Sequence, residues 1–126
     1  MVKAILLDDE LPALWELKHM LDNYPEVTVA GMFTNPHEAF KIIETEKPDA
    51  VFLDINMPLI NGIDLALKIQ ELPFEVMIVF VTAYSRYYQQ SFQANPLDCI
   101  LKPIDEEHFQ ETMERLLEQY RSKGRS

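Results

Sequence analysis

Ala50-Val51-Phe52-Leu53-Asp54-Ile55-Asn56-Met57-Pro58 decides how the rest of the chain is read. Its first four residues are apolar with no polar alternation, the pattern of a strand covered on both faces. The run stops on an aspartate and Pro58 follows, so a loop opens at Asp54. Four similar runs lie outward from it: Ala4–Leu7, Val27–Ala30, Val76–Val81 and Cys99–Leu101. Helix-period segments separate them. Leu14, Leu17 and Leu21 share one face, with Leu11 at its start. Asn35 reads as a cap before Pro36, with Glu38 three residues on, and Ala39, Phe40 and Ile43 face inward. A third helix follows Gly62, with Ile63, Ala66, Leu67 and Leu72 inward, and a fourth lies between Ser85 and Ala94, with Phe92 in the core. Asp105 caps the fifth, Ile104 staples onto Phe109, and Phe109, Met113, Leu116, Leu117 and Tyr120 form its stripe. Strand then helix, five times over, predicts an α/β sandwich on a parallel sheet with right-handed crossovers.

Composition narrows the function. The 126 residues fit one domain, and 48% hydrophobic with 25% charged residues is an ordinary globular balance that argues against disorder. The single cysteine, Cys99, excludes an internal disulfide framework and a cysteine-based zinc site. Val76–Val81 falls far short of the roughly 20 apolar residues a membrane span needs. The apolar run after Lys3 is too short for a signal peptide, so a cytoplasmic protein is the simplest expectation. A formal net charge of −10 repels nucleic acid, and the basic stretch Arg121–Arg125 reads as a solvated tail, so no direct nucleic-acid contact is expected. Clustered carboxylates, by contrast, can hold a hard cation.

They do cluster. In an open α/β sheet ligands bind beyond the carboxyl ends of the strands. Asp8, Asp9 and Glu10 follow the first strand, Asp54 the third, Thr82 the fourth and Lys102-Pro103 the fifth. Thr34 and Asn35, after the second, read as turn and cap. Three aspartates held together repel one another, and a divalent cation relieves the repulsion; an oxygen-only set suits Mg²⁺. Lys102 and Thr82 can hold phosphoryl oxygens, and one carboxylate can be the nucleophile. Each residue alone has a plainer reading as a turn, a cap or a solvated strand end. The convergence of four strands on one edge is what favours a site.

Asp8-Asp9-Glu10, Leu53-Asp54-Ile55-Asn56-Met57-Pro58 with Gly62, Val81-Thr82-Ala83 and Leu101-Lys102-Pro103 together resemble the receiver domain of bacterial two-component response regulators. The likeness runs through essentially the whole chain. It implies a flavodoxin-like (βα)5 doubly wound parallel sheet in the order 2-1-3-4-5, with a receiver over residues 1–121 and the basic tail 122–126 as the start of a linker to an output domain that controls transcription. It implies that Asp54 is the phosphoacceptor for a sensor histidine kinase. Mg²⁺ would be bound by Asp8, Asp9, Asp54 and the backbone carbonyl of Asn56, with Asp8 acting largely through water. Lys102 would pair with the acyl phosphate, Thr82 would move to bond it, and a cis bond would join Lys102 to Pro103. Met57-Pro58 and Gly62 would shape the loop. The face of helix 4, strand 5 and helix 5 would be the partner and homodimer surface, with Tyr87, Tyr88 and any other exposed aromatics as contacts. Self-phosphorylation and self-dephosphorylation would be the only chemistry, so no enzyme with an external product is expected.

Cys99 departs from the family, which commonly has an aromatic three residues before the lysine. A small buried core residue is the favoured reading, a redox role the weaker one. Tyr84 and Asn56 stand where the family tunes phosphate lifetime, and Tyr84 is expected to shield the phosphosite. His19, His37 and His108 show no metal spacing and read as surface residues, and Trp15 as a partly exposed helix residue. Three other classes compete. A haloacid-dehalogenase-type phosphatase needs a second acid where Asn56 stands. A nucleotide or flavin module lacks a glycine-rich phosphate loop. A phosphorylation-independent pseudo-receiver interaction module is opposed by the complete set of Asp8, Asp9, Asp54, Thr82 and Lys102.

Overall fold

The computed structural model describes residues 1–124, and the side chain of Tyr87 stands outside that description, as do the last two residues of the basic tail. Five strands, β1 (Val2–Leu7), β2 (Val27–Phe33), β3 (Ala50–Leu53), β4 (Met77–Thr82) and β5 (Asp98–Leu101), form one parallel sheet in the order β2-β1-β3-β4-β5. This is the flavodoxin-like order. Helices α1 (Leu11–Leu21), α2 (Pro36–Glu46), α3 (Gly62–Gln70), α4 (Tyr88–Ser91) and α5 (Glu106–Ser122) connect and follow the strands.

The continuous apolar runs are buried because both faces are covered. On one face Leu14, Leu17 and Leu21 of α1 and Phe109, Met113 and Leu116 of α5 pack on Leu6, Phe52 and Val79. On the other, Ile43 of α2 and Ile63, Ala66 and Ile69 of α3 pack on Ile5, Val51 and Phe80. Each such side chain contributes about 1.5–3 kcal/mol by leaving water. Asn35 caps α2 by accepting from the amides of His37 and Glu38, and Asp105 caps α5 by accepting from that of His108.

Three residues expected to face inward are exposed. Leu11 is exposed: it opens α1 beyond the strand ends, where no sheet lies beneath it. Leu67 is exposed because Gly62, Leu65, Ala66 and Ile69 take the buried face of α3. Phe92 is exposed as well. The expected fourth helix is broken into a 3₁₀ turn (Ser85–Tyr87), the single turn α4 and a second 3₁₀ turn (Phe92–Ala94). In 3₁₀ geometry residues three apart share a face. Ser91 and Ala94 therefore turn inward, and Phe92 stacks edge-on against Tyr88, ring centroids 5.2 Å apart.

Candidate functional site

The parallel register brings the ends of β1, β3, β4 and β5 to one edge. The Asp54 amide donates to the Leu7 carbonyl (3.1 Å), and the Lys102 amide to that of Thr82 (2.8 Å). Asp8 and Asp54 are thereby held at neighbouring strand ends, both nearly out of water at 5% and 4% exposure. Thr82, the last residue of β4, is fully buried. Asp9 and Glu10, next after Asp8, and Asn56, two residues after Asp54, are exposed and mark the open mouth of this edge.

Lys102 ties the acids together. Its Nζ donates to Asp8 Oδ2 at 2.6 Å and stands 3.6 Å from Asp54 Oδ2. Burial pulls its pKa down. The hydrogen bond to Asp8 and the charges of Asp54, Asp8 and Glu10 outweigh that and leave it raised, so it stays an ammonium. Asp54 is pushed the other way. Burial raises its pKa, Lys102 offsets part, and the charge of Asp8 adds to the rise. The Ile55 amide (2.7 Å to Oδ1) and the Thr82 hydroxyl favour its ionised form without cancelling the burial. A carboxylate left so poorly compensated attracts further positive charge or a new bond.

Glycine is required at one point of this edge. A Cβ on Gly62 would lie 2.1 Å from the Asp54 carbonyl oxygen, and the Gly62 amide donates to Ile55 O at 2.7 Å. The absent side chain lets the loop after β3 fold back against the strand end. Met57, expected to shape this loop, is buried in the core beside it.

Ligand atoms of Asp8, Asp9 and Glu10 lie within 4.8 Å of one another. These three are an oxygen-only donor set of the kind a hard divalent cation takes, and Asp54 stands on the far side of the Lys102 ammonium from Asp8. Glu10 is the member the sequence reading passed over as a ligand, although it stands in the same acidic run. The space enclosed beside Asp8, Asp54 and Lys102 is about 10 Å³. That is at the limit for one water, so any larger ligand must sit in the open mouth.

Cys99 is fully buried, and burial, with the charge of Asp98 adding, raises its thiol pKa against a smaller opposing contribution from Ser91; an inert core residue results. Tyr84 is exposed at 42%, and its amide donates to Thr82 Oγ1 (3.3 Å). Lys102–Pro103 is a cis peptide. His108 is half-buried rather than a plain surface residue, with Nε2 2.9 Å from Asp98 Oδ2. Asp98 was not singled out, because an acid entering a strand carries no chemical signature by itself.

Fold and edge define a class: a doubly wound α/β protein with an acidic, lysine-bridged pocket at the carboxyl ends of its strands. The model of the response regulator receiver domain matches residues 4–114, and the chain belongs to that family. It is 43% identical over 123 residues to an uncharacterized response regulatory protein of Vibrio cholerae, covering 96% of this chain and 51% of that protein. It is 38% identical over 122 residues to the sensory transduction protein LytT of Bacillus anthracis, covering 97% and 50%. The chain spans about half the length of the curated relatives it matches. The crystal structure of the response regulatory domain of protein mrkE from Klebsiella pneumoniae superposes with a TM-score of 0.89 at 30% identity, covering 95% of this chain and 98% of that one. The chain is thus a receiver domain of two-component signalling, a family whose members generally bind Mg²⁺ at an acidic pocket and pair with histidine kinases. Among the described residues no helix is long and apolar enough to cross a membrane.

Proposed function

We propose that this receiver is switched by phosphorylation of Asp54. The observation that carries the reading is the convergence of Asp8, Asp54 and Lys102 within ion-pair distance at the end of the sheet. An Asp54 carboxylate oxygen attacks the phosphorus of a kinase phosphohistidine. The P–O bond forms, the P–N bond breaks with its electron pair returning to the ring nitrogen, and the imidazole leaves neutral, keeping the proton already on its other nitrogen. Asp8, Asp9, Asp54 and the Asn56 carbonyl would hold Mg²⁺, which supplies charge neutralisation for the transferring group. Lys102 shifts toward the new phosphoryl oxygens, to which its raised pKa keeps it a donor. Thr82 turns its hydroxyl to them, giving up its bond from the Tyr84 amide, and so couples the phosphosite to the segment that begins at Tyr84.

Residues 1–121 form the switch. The curated relatives are about twice this length, and an output domain that acts on transcription would read the switch, with no direct contact between the receiver and nucleic acid. The face of α4, β5 and α5 would mediate self-association. Tyr84 screens the acyl phosphate from water, and Tyr84→Ala is expected to shorten the phosphate lifetime about threefold, on the order of 0.7 kcal/mol of barrier.

The test is an intact mass after incubation with Mg²⁺ and acetyl phosphate, beside Asp54→Asn. One phosphoryl adduct that needs Mg²⁺ and vanishes in the variant supports the reading. A chain that binds Mg²⁺ and gains no adduct is a pseudo-receiver instead.

A further inference from the structure

The chain has five asparagines, and one of them, Asn61, precedes a glycine. Asn35 and Asn95 precede proline, Asn23 precedes tyrosine and Asn56 precedes methionine. The difference is chemical. A backbone amide nitrogen can attack the carboxamide carbon of the asparagine before it and close a succinimide ring. Proline has no N–H to give up, and a bulky side chain on the following residue crowds the attack. Glycine brings neither obstacle, so Asn61-Gly62 is the most reactive such pair in the sequence.

The fold keeps the two partners of that reaction apart. Asn61 caps α3 with ψ of 136°, and its Oδ1 accepts from the Ile63 amide at 2.7 Å. That extended ψ turns the Gly62 nitrogen away from the Asn61 side chain, whereas ring closure needs both on the same side of the Cα–C bond. The Gly62 amide meanwhile donates to the Ile55 carbonyl at 2.7 Å, so the attacking nitrogen is already engaged. Gly62 is buried and Asn61 half-buried. Attack therefore requires the loop between β3 and α3 to open, with the cap bond and the Gly62–Ile55 bond both broken. Local opening of this kind costs less than global unfolding.

The product falls at a sensitive place. Water opens the ring in one of two ways. One leaves aspartate, which caps a helix as well as asparagine does. The other leaves isoaspartate, whose main chain runs through the side-chain carbons and is one methylene longer. Gly62 is pressed so closely on the strand end that a Cβ there would lie 2.1 Å from the Asp54 carbonyl oxygen and 2.8 Å from the Ile55 Cα. A lengthened backbone immediately before it must push the loop off Asp54.

We propose that Asn61-Gly62 is a covalent modification site of this receiver, which deamidates only when the loop after β3 opens, and whose isoaspartyl product disables Asp54. The Gly62 nitrogen forms a bond to Asn61 Cγ, the Cγ–Nδ2 bond breaks, and ammonia leaves with the proton given up by Gly62. Water then cleaves the ring. The effect on Asp54 rests on the phosphorylation argued above; the deamidation does not.

The experiment ages the whole chain at mildly alkaline pH, in buffer and in urea. Peptide mass maps the deamidation, and isoaspartyl methyltransferase with a labelled methyl donor reads isoaspartate. Asn61 is expected to react at least about tenfold faster in urea than in buffer, ahead of the other asparagines. Met57→Ala, which loosens the buried anchor of the loop, is expected to speed the reaction in buffer. Asn61→Ser, which keeps a cap and has no carboxamide, is expected to stop it. After refolding, the isoaspartyl form is separated and compared with Asn61→Asp. It is expected to melt lower than fresh chain and to take label from acetyl phosphate about tenfold more slowly, whereas Asn61→Asp stays within about twofold of fresh chain. Equal rates in buffer and urea, or another asparagine reacting first, overturn the gated site. An isoaspartyl form that melts and labels like fresh chain overturns its consequence. Fresh chain that takes no label from acetyl phosphate overturns the phosphorylation reading instead.

Discussion

Asp54 and Asp98 are both aspartates at strand ends, 4% and 7% exposed, and the protein treats them in opposite ways. Asp98 opens β5. Its Oδ1 accepts from the Cys99 amide (2.8 Å), and its Oδ2 from the Thr112 hydroxyl (2.5 Å) and Arg115 Nη2 (2.7 Å), with His108 Nε2 at 2.9 Å. Burial raises its pKa, but the hydrogen bonds from Thr112, Cys99 and His108 overcome that and leave it lowered. At Asp54 the same burial wins. One buried acid is saturated and fastens α5 to β5; the other is under-compensated and open toward the mouth. Burial of an acid does not distinguish structure from chemistry, whereas the balance of its donors does.

The comparison breaks most sharply on reactivity. Asp54→Asn is expected to abolish the phosphoryl adduct, and Asp98→Asn to keep it, by intact mass with acetyl phosphate and Mg²⁺. An adduct on Asp54→Asn would erase the distinction. Stability follows with opposite signs. Asp98→Asn is expected to cost about 2–3 kcal/mol at neutral pH in a urea titration, because a buried set of donors loses its charged acceptor. Asp54→Asn is expected to stabilise the metal-free fold, because it removes an ionised group that burial disfavours.

The pH dependence sharpens this. Asp98 has a lowered folded-state pKa, so its contribution is present above the unfolded carboxylate value of about 3.9 and is lost as pH falls through the folded value. Asp54 has a raised one, so its penalty is absent in acid and grows as pH rises from about 3.9 through the folded value. Both variants should approach wild type as pH is lowered below about 4, from opposite sides. Melting curves across that range check it.

Lys102→Met probes the under-compensated side. The ammonium competes with a cation for Asp8, so its removal is expected to tighten Mg²⁺ binding about tenfold, on the scale of one partly screened unit charge. Calorimetric titration reads this directly, and unchanged affinity would mean the lysine does not oppose the metal. The smallest effect belongs to the saturated side. Arg115→Ala should lose no more than about 1 kcal/mol, because the guanidinium is more than half exposed and Asp98 keeps Thr112, His108 and the Cys99 amide.

Much of this was legible in the chain. Continuous apolar runs ending on Asp8, Asp54, Thr82 and Lys102 fix buried parallel strands and place chemical groups at one edge, because a residue after a strand in such a sheet has nowhere else to go. Caps at Asn35 and Asp105 were equally readable, since capping is a local interaction. Periodicity failed between Ser85 and Ala94, where two 3₁₀ turns flank a single helical turn and Ser91 and Ala94, rather than Phe92, face inward. It also failed at Leu11, which lies beyond the strand ends, and at Leu67, which the phase of α3 turns outward. Only tertiary structure separated Asp98 from Asp54, or showed His108 facing a carboxylate ten residues earlier. The sequence lists which acids exist. How far each is desolvated, and how many donors reach it, depends on groups brought together from distant parts of the chain, and those two quantities decide what an acid can do.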